Sequence, residues 1–280
     1  MNKSSKEGPD NELLLPFEQK VFQEPWKEYF RIKRQNWLAT LQSFPNLWSL
    51  FVQLDGIFVR GLSDCYHQSD DDAIVPLVLF IRSHRSIRIA SEIAFASQLI
   101  EAMDLTRSAI ESAAIAHRIH REPSLGVVWL KKNESKQDEA AFTRAFEKDK
   151  KKNLFPDSHQ FLKKLHEEYT FFSEFGTHAT DSSLALQYKD KSSDKNWSAE
   201  IRYVEDDQET IVKFIFAHIQ ICWLIENTFH DAFKNRLSLD HVLQQMRVRF
   251  GRNVETVRNR LKGKFGTSMS IVLPQAYPKP

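Results

Sequence analysis

The chain has 280 residues, a formal net charge of +2, and 41% hydrophobic and 27% charged residues. This is the composition of an ordinary globular protein that can bury a substantial core, and it excludes a polycationic chain. Only eight glycines are present, which argues against an all-β fold with frequent turns and favours helices.

The first residues and the cysteines predict the compartment. The start of the chain has no apolar segment of the kind found in a secretory signal. The longest uncharged apolar run, Ala73–Ile81, is far shorter than the ~20 residues of a membrane-spanning helix. Two cysteines in a chain of this length, Cys65 and Cys222, are typical of free thiols. We therefore expect a cytoplasmic protein that does not bind membranes.

The first half of the chain predicts long helices. Residues 1–15 are polar, and we expect them to be disordered. Apolar residues at helical spacing predict one helix over 25–43 and a second that begins at Pro45, each with a proline at its start. Residues 73–122 contain no glycine and predict two long helices that break between Leu99 and Asp104.

The second half alternates between exposed and buried segments. Residues 131–160 are dense in charge and predict an exposed helix and loop, and a further helix runs to a glycine stop at Gly176. A short strand-like segment covers 199–204. Residues 211–233 are apolar on nearly every face, which predicts a central core helix, and 239–262 form a final basic helix.

These elements predict an all-α fold with one helical bundle of about eight helices. No internal repeat and no long linker divides the chain. We therefore expect a disordered N-terminus over 1–15, a single helical domain over 16–265 and a flexible tail over 266–280.

A narrow stripe of alternating charge marks the helix that ends near Pro123. At about 100° per residue, its charged side chains fall within roughly 60° of one another on an otherwise small and apolar helix. Either the stripe is a solvated edge, or it lines a polar cleft in which Arg107 holds an anion and Glu111 orients Arg107. The stripe consists of Asp104, Arg107, Glu111, Arg118 and Glu122.

A second polar segment lies about 60 residues later. Tyr169 and Ser173 share one face of a predicted helix, and the turn at Gly176 would project His178 beyond its end. A tyrosine, a serine and a histidine together can donate, accept and transfer protons, so Tyr169, Ser173 and His178 are the candidate catalytic residues. A structural polar network is the alternative, and no Gly-x-Ser-x-Gly elbow is present.

Together these two segments resemble a group of uncharacterised bacterial helical proteins. In that group an Arg-Ser-x-x-Glu helix precedes a Tyr-x-x-x-Ser-x-x-x-His segment. Here the matching residues are Arg107-Ser-Ala-Ile-Glu111 and Tyr169-Thr-Phe-Phe-Ser173, with His178 one residue later than usual and Ala179 where proline is frequent. The resemblance covers roughly 75–235. The group has no established activity, so the resemblance implies a place for a site and not its chemistry.

Metal and cofactor binding are not predicted. His117 and His120 are spaced at i, i+3, and His178 with Asp181 forms a second short pair. His117 and His120 point away from the charged stripe, and no His-Glu-x-x-His motif is present. Glycine-rich phosphate loops are also absent.

A metal-independent endoribonuclease of the helical HEPN type is the alternative function. Its pattern, an arginine and a histidine separated by four to six intervening residues, occurs at Arg236…His241 and at Arg60…His67. Chance produces about two such spacings in a chain of this composition. Residues 247–264 carry a local charge of +6, which could contact RNA, although a solvated terminal helix has the same composition.

The leading functional expectation is a helical binding or interaction protein with a polar cleft. Its partner would be another protein or an anionic ligand, and we also expect self-association into a homo-oligomer. A role in bacterial stress or phage defence fits either the binding or the nuclease interpretation.

Overall fold

The structure, a computed structural model, describes residues 16–21, 23–66, 71–174, 188–190, 199–201 and 204–266. The expected disordered N-terminus over 1–15 and the tail beyond 266 lie outside the described residues. Among the residues that are described, no helix has the length and hydropathy that crossing a bilayer requires.

The described residues form an all-α fold, as the composition predicts. The helices of 13 or more residues are α2 (Trp26–Ser43), α3 (Pro45–Tyr66), α4 (Asp71–Phe95), α5 (Leu99–Arg121), α9 (Gln160–Phe172), α10 (Gln208–Ala232) and α12 (His241–Phe265). The shorter ones are α1 (Pro16–Val21), α6 (Ser124–Lys131), α7 (Lys136–Phe142), α8 (Lys150–Leu154) and α11 (Lys234–Leu237). The expected count of about eight helices is slightly too low, because the sequence pattern did not predict every one of these short helices.

Two irregular features interrupt the helices. A π-helical turn, Thr143–Glu147, follows α7. Strands β1 (Tyr188–Asp190) and β2 (Ala199–Ile201) pair antiparallel, with Lys189 opposite Glu200. The strand-like segment predicted at 199–204 is therefore a strand over its first three residues.

The break between α4 and α5 falls just before the predicted position. Ser97 adopts a left-handed backbone with φ 66°, and the Gln98 N–H donates to the Ile93 carbonyl at 3.0 Å, which ends α4. A non-glycine residue seldom adopts this conformation, and the sequence carries no glycine or proline that would have marked the stop.

Helix α10 is the centre of the core, as its apolar sequence predicts. It contacts α3, α4, α5 and α9. Most of its apolar side chains are buried, with Val212, Ile215, Phe216, Ile219 and Ile225 fully so. Burial of such a side chain stabilises the fold by about 1.5–3 kcal/mol, so α10 carries a large share of the hydrophobic stabilisation.

Helices α4 and α5 pack closely through small residues. Ala109, Ala113 and Ala116 of α5 are fully buried, and the Ser83 hydroxyl of α4 donates to the Ala109 carbonyl at 2.8 Å. A small side chain lets the two backbones approach, so a serine of one helix reaches the main chain of the other. This packing leaves the remaining face of α5, which carries Arg107, turned toward α9.

The basic segment 247–264 has two sides. Arg247 forms an ion pair with buried Glu226, and Arg258 donates to Gln220 at 2.9 Å, so both guanidinium groups face α10. The side chains that remain exposed are Arg249, Arg252, Arg260, Lys262 and Lys264. The local charge is therefore only partly available to a partner.

Candidate functional site

Arg107 is the centre of a polar cluster between α5 and α9. Its side chain is half-buried, its Nε donates to Ser173 Oγ at 2.8 Å, and its Nη2 donates to the Tyr169 hydroxyl at 3.0 Å. The guanidinium carbon also lies 4.9 Å from the centroid of the Tyr169 ring. Both hydrogen-bond partners are neutral, and among the described residues no carboxylate forms an ion pair with Arg107.

Glu111 is paired with a lysine that the sequence did not single out. Its Oε1 accepts a hydrogen bond from Lys150 Nζ at 2.7 Å, and Lys150 also reaches the Tyr169 hydroxyl at 3.3 Å. Glu111 therefore orients Arg107 only indirectly, through the hydroxyl that Arg107 and Lys150 share. Burial lowers the pKa of Lys150, but the hydrogen bond and charge of Glu111 outweigh burial, so this pKa lies above its ordinary value.

The geometry gives Ser173 a structural part in the cluster. Its hydroxyl accepts from Arg107 Nε and donates to the Tyr169 carbonyl at 2.7 Å, one turn earlier in α9. Activation of a serine requires a base that accepts this hydroxyl proton. Within the described residues the acceptor is a backbone carbonyl, which is not a base, and His178 lies outside the described residues.

Lys150 belongs to a charge-dense segment that hides its role. It is the first residue of α8 and follows Asp149, whose left-handed backbone (φ 51°) redirects the chain. Lys151 and Lys152, next in sequence, are exposed. Lys150 differs from Lys151 and Lys152 in that it directly follows the left-handed turn at Asp149. No periodicity in the sequence indicates this turn.

A polar cavity of about 400 Å³ adjoins the cluster at Glu111. One wall is α5, through Ser108, Glu111 and Ser112, and α4 adds Arg82. Opposite them lie aromatic and charged side chains of the segment 129–147, namely Trp129, Lys132, Asn133, Glu139, Phe142, Thr143 and Glu147. Basic, acidic and aromatic groups therefore face the same volume, which is large enough for a small organic molecule.

The other residues of the charged stripe are at the surface or pair with one another. Asp104 is exposed, and Arg118 forms an i, i+4 ion pair with Glu122 at 3.0 Å. His241 is exposed at the start of α12. His178, Asp181 and His67 lie outside the described residues.

A second cluster lies at the other end of the α5–α9 pair. His117, near the C-terminus of α5, His159, which precedes α9, and Asp231, near the C-terminus of α10, bring three potential metal-ligand atoms within 4.8 Å of one another. Asp231 Oδ2 lies 3.1 Å from His159 Nε2 and 3.6 Å from His117 Nε2. Inspection of the sequence missed this cluster, because it considered His117 together with His120.

The environment of this second cluster favours neutral His117 and ionised Asp231. Burial, with a smaller contribution from the neighbouring His159, lowers the pKa of His117 to about 4, although Asp231 opposes both effects. Burial raises the pKa of Asp231, but hydrogen bonds and charge from the two histidines outweigh it and hold that pKa below its ordinary value.

Comparison with known proteins adds no functional information. No family model matches the chain, and neither a curated protein nor a solved structure resembles it significantly.

Proposed function

We propose that the chain is a cytoplasmic binding protein for a small anionic ligand, held by Arg107 and Lys150. One observation carries the proposal: Arg107 is half-buried, yet its only hydrogen-bond partners among the described residues are the neutral hydroxyls of Tyr169 and Ser173. A cation removed from water is stabilised by an opposite charge, and a bound anion would supply it.

The arrangement of the neighbouring charges supports this proposal. Lys150 and Arg107 converge on one hydroxyl, and Glu111 is the only carboxylate that pairs with either cation within the described residues. A carboxylate or phosphate group could accept hydrogen bonds from both cations at once. The planar guanidinium suits such two-point recognition, and the lysine adds charge.

The adjoining cavity supports a small organic ligand rather than a bare ion. It reaches the cluster at Glu111 and carries Trp129 and Phe142 as apolar surface. The ring of Trp129 lies 4.7 Å from the Lys132 ammonium, which keeps a further cation beside the cavity. A ligand with an anionic group and a polar or ring-shaped body fits this lining.

The state of the two cysteines supports a reducing compartment for this protein. Cys65 and Cys222 are both buried and unbridged. Burial raises the pKa of the Cys65 thiol to about 12, so the thiol is neither ionised nor reactive at neutral pH. Buried thiols that form no disulfide support a reducing compartment.

The test is anion binding by matched arginine variants. Inorganic phosphate and citrate are titrated against wild type, Arg107→Gln and Arg121→Gln, with calorimetry and the melting temperature as readouts. Arg121 is the control because it lies on the same helix but is exposed. We expect an anion to bind wild type and Arg121→Gln, to raise their melting temperature, and to bind Arg107→Gln at least tenfold more weakly.

A structural role for Arg107 predicts a different result. In that case Arg107→Gln lowers the melting temperature and no anion binds wild type, which would reject the proposal. If Arg107→Gln does not fold, Lys150→Gln provides the same comparison, because Lys150 is the second cation at the proposed site and a third of its side chain is exposed.

We also propose a second candidate, a metal-independent endoribonuclease, on a separate observation. At about 100° per residue, four exposed basic side chains of α12 fall within about 120° of one another, and α12 begins at exposed His241. Arg60 pairs with Asp240, the residue before His241, which adds an arginine near that histidine. A row of cations favours phosphate backbones. The four are Arg249, Arg252, Arg260 and Lys264.

Cleavage of single-stranded RNA in the presence of EDTA tests this second candidate. We expect His241→Ala to abolish cleavage and His178→Ala to do so if His178 is the general acid or base. Growth arrest on expression, relieved by the same variants, would agree with a role in stress or phage defence. Intact RNA with the pure wild-type protein would reject the nuclease.

A further inference from the structure

His117, His159 and Asp231 converge from three helices that are distant in sequence. His117 belongs to α5, His159 caps α9 and Asp231 belongs to α10. Their donor atoms lie within 4.8 Å of one another, and two of the separations are 3.1 and 3.6 Å. Two imidazoles and one carboxylate are a common ligand set for transition metals.

The two separations that involve Asp231 Oδ2 are close to those of a tetrahedral ion. Zinc bonds to imidazole nitrogen and carboxylate oxygen measure about 2.0–2.2 Å, so two ligands of one tetrahedral ion lie about 3.3–3.6 Å apart. The observed 3.6 Å lies at the upper end of this range, and the observed 3.1 Å is about 0.2 Å shorter than its lower end. We propose that His117, His159 and Asp231 form a binding site for a divalent transition metal ion, with Zn²⁺ as the ion that the ligand set and spacing fit best.

The burial of the three side chains gives the site one open side. The exposed fraction of the side chain rises from 4% at His117 to 14% at His159 and 44% at Asp231. An ion therefore enters from the side of Asp231, where a fourth position remains for water. Three protein ligands and one water are the arrangement of zinc sites that do chemistry, whereas structural zinc sites have four protein ligands.

Metal binding has a specific consequence at the start of α9. In the structure His159 Nδ1 accepts the Leu162 backbone N–H at 3.2 Å, so the ring proton lies on Nε2 and is donated to Asp231. A metal ion at Nε2 needs the lone pair of that nitrogen, so the single ring proton moves through solvent from Nε2 to Nδ1 and the ring stays neutral. The protonated Nδ1 no longer accepts a hydrogen bond from the Leu162 N–H. Binding therefore exchanges a helix cap for a metal bond.

The loss of the Leu162 hydrogen bond on metal binding distinguishes a metal site from a purely structural helix cap. If the three residues only fix the start of α9, the Leu162 hydrogen bond persists at every zinc concentration. If they bind metal, the amide resonance of Leu162 and the ring resonances of both histidines shift together as Zn²⁺ is added. This readout uses the wild-type protein and does not depend on the folding of any variant.

The binding experiment compares wild type with ligand and control variants. Zn²⁺ is titrated by calorimetry against wild type, Asp231→Asn, His159→Gln and His166→Gln, and native mass spectrometry counts the bound ions. His166 is the control because it lies on α9, is half-buried against Phe155 and stands outside the cluster.

We expect one equivalent of Zn²⁺ on wild type and on His166→Gln, and a dissociation constant at least tenfold higher for Asp231→Asn and His159→Gln. Co²⁺ should give the intense visible absorption of a tetrahedral ion at the same site. Absence of saturable binding to wild type, or equal affinity in wild type and Asp231→Asn, would overturn the proposal. Binding without a shift at Leu162 would overturn the assignment of His159 Nε2 as a ligand atom.

This site is independent of the proposed anion site. His117 lies ten residues after Arg107 on α5, which places the two about 15 Å apart along the helix. Asp231→Asn and His159→Gln therefore leave Arg107 and Lys150 in place, and the failure of either proposal says nothing about the other.

Discussion

Arg107 Nε donates a 2.8 Å hydrogen bond to Ser173 Oγ and joins α5 to the C-terminal end of α9, across 66 residues of sequence. At the opposite end of the same pair, His117 of α5 and His159, which precedes α9, place their rings 4.5 Å apart. The two helices therefore run antiparallel and are joined by polar contacts at both ends. Each end carries one of the two proposed sites.

The first prediction is a measurable coupling between Arg107 and Ser173. In a double-mutant cycle of Arg107→Gln and Ser173→Ala, we expect a coupling free energy of about 1 kcal/mol in urea unfolding, because each substitution removes the same charged hydrogen bond. Thr170 supplies the control pair, because it is exposed on α9 and its hydroxyl donates to the His166 carbonyl. The cycle of Arg107→Gln with Thr170→Val should be additive within about 0.5 kcal/mol. Equal coupling in both cycles would contradict the geometry.

Local periodicity predicted most helices and part of the Arg107 cluster. A spacing of four residues places Tyr169 and Ser173 on one face of α9, and Arg107 stands on a helix whose other faces are small and apolar. Both patterns are readable from sequence because they depend on neighbours within a helix. The structure adds that these two faces meet, with hydrogen bonds of 2.8 and 3.0 Å.

The role of Lys150 and the pairing of His159 with Asp231 could not be predicted from the sequence, because both depend on tertiary contacts. Lys150 lies in a lysine-rich run, and only the left-handed turn at Asp149 distinguishes it from Lys151 and Lys152. His159 and Asp231 are 72 residues apart and belong to different helices, so no motif joins them. A ligand set contributed by separate helices has no fixed spacing, unlike the short motifs that sequence inspection can test.

The second prediction concerns the two glycines of α3. A Cβ at Gly61 would lie 2.9 Å from Phe229 Cε1, whose ring packs against Phe80 with centroids 5.0 Å apart and is fully buried. The gain in helix propensity from Gly61→Ala, about 1 kcal/mol, is therefore outweighed by overpacking, and we expect a net loss of about 1–2 kcal/mol. Thermal and urea unfolding measure it.

Gly56 provides the matched control on the same helix. A Cβ there meets only Met246 Cε, at an ordinary contact distance of 3.6 Å. Gly56→Ala should therefore leave the free energy of unfolding unchanged or raise it by up to about 1 kcal/mol. The packing explanation fails if both substitutions change stability by the same amount.

The third prediction is a loss of stability in acid that depends on His218. This residue is buried in the core, where its Nε2 lies 2.8 Å from the Ser91 hydroxyl and its Nδ1 lies 3.0 Å from the Thr106 hydroxyl. The Thr106 hydroxyl donates to the Ala102 carbonyl at 2.6 Å, so it must accept from His218, which places the ring proton on Nδ1. Each ring nitrogen of the neutral imidazole therefore has a hydrogen-bond partner.

Burial lowers the pKa of His218 to about 4, and the sign of the pH dependence follows. The unfolded chain, with a histidine pKa of about 6.5, binds the proton more tightly than the folded chain. Stability from this group is therefore fully present above pH ~6.5 and falls as the pH drops toward ~4, by roughly 3 kcal/mol. Urea unfolding across this range should show a shallower acid slope for His218→Gln than for wild type. Identical slopes would contradict the prediction.

The fourth prediction is that two arginines of one helix differ greatly in their effect on stability. Arg247 forms an ion pair with Glu226, which is 1% exposed, while Arg258 pairs with Glu255, whose side chain is 60% exposed. Burial raises the pKa of Glu226 to about 7 despite the neighbouring Arg247. We expect Arg247→Leu to lower the free energy of unfolding by about 3 kcal/mol, because it leaves a buried carboxyl group without its partner. Arg258→Leu, the control, should cost less than about 1 kcal/mol.

A compensating variant distinguishes this charge effect from lost packing. Arg247 also stacks on Trp223, with its guanidinium carbon 4.9 Å from the ring centroid, so Arg247→Leu removes a packing contact as well. In the double variant Glu226→Gln, Arg247→Leu, no buried charge remains, and we expect recovery of more than half of the loss at pH 8. At pH 5 the two variants should differ little, because a Glu226 side chain without its arginine is protonated there. If the double variant is no more stable at pH 8 than Arg247→Leu alone, the lost stacking on Trp223 accounts for the whole effect.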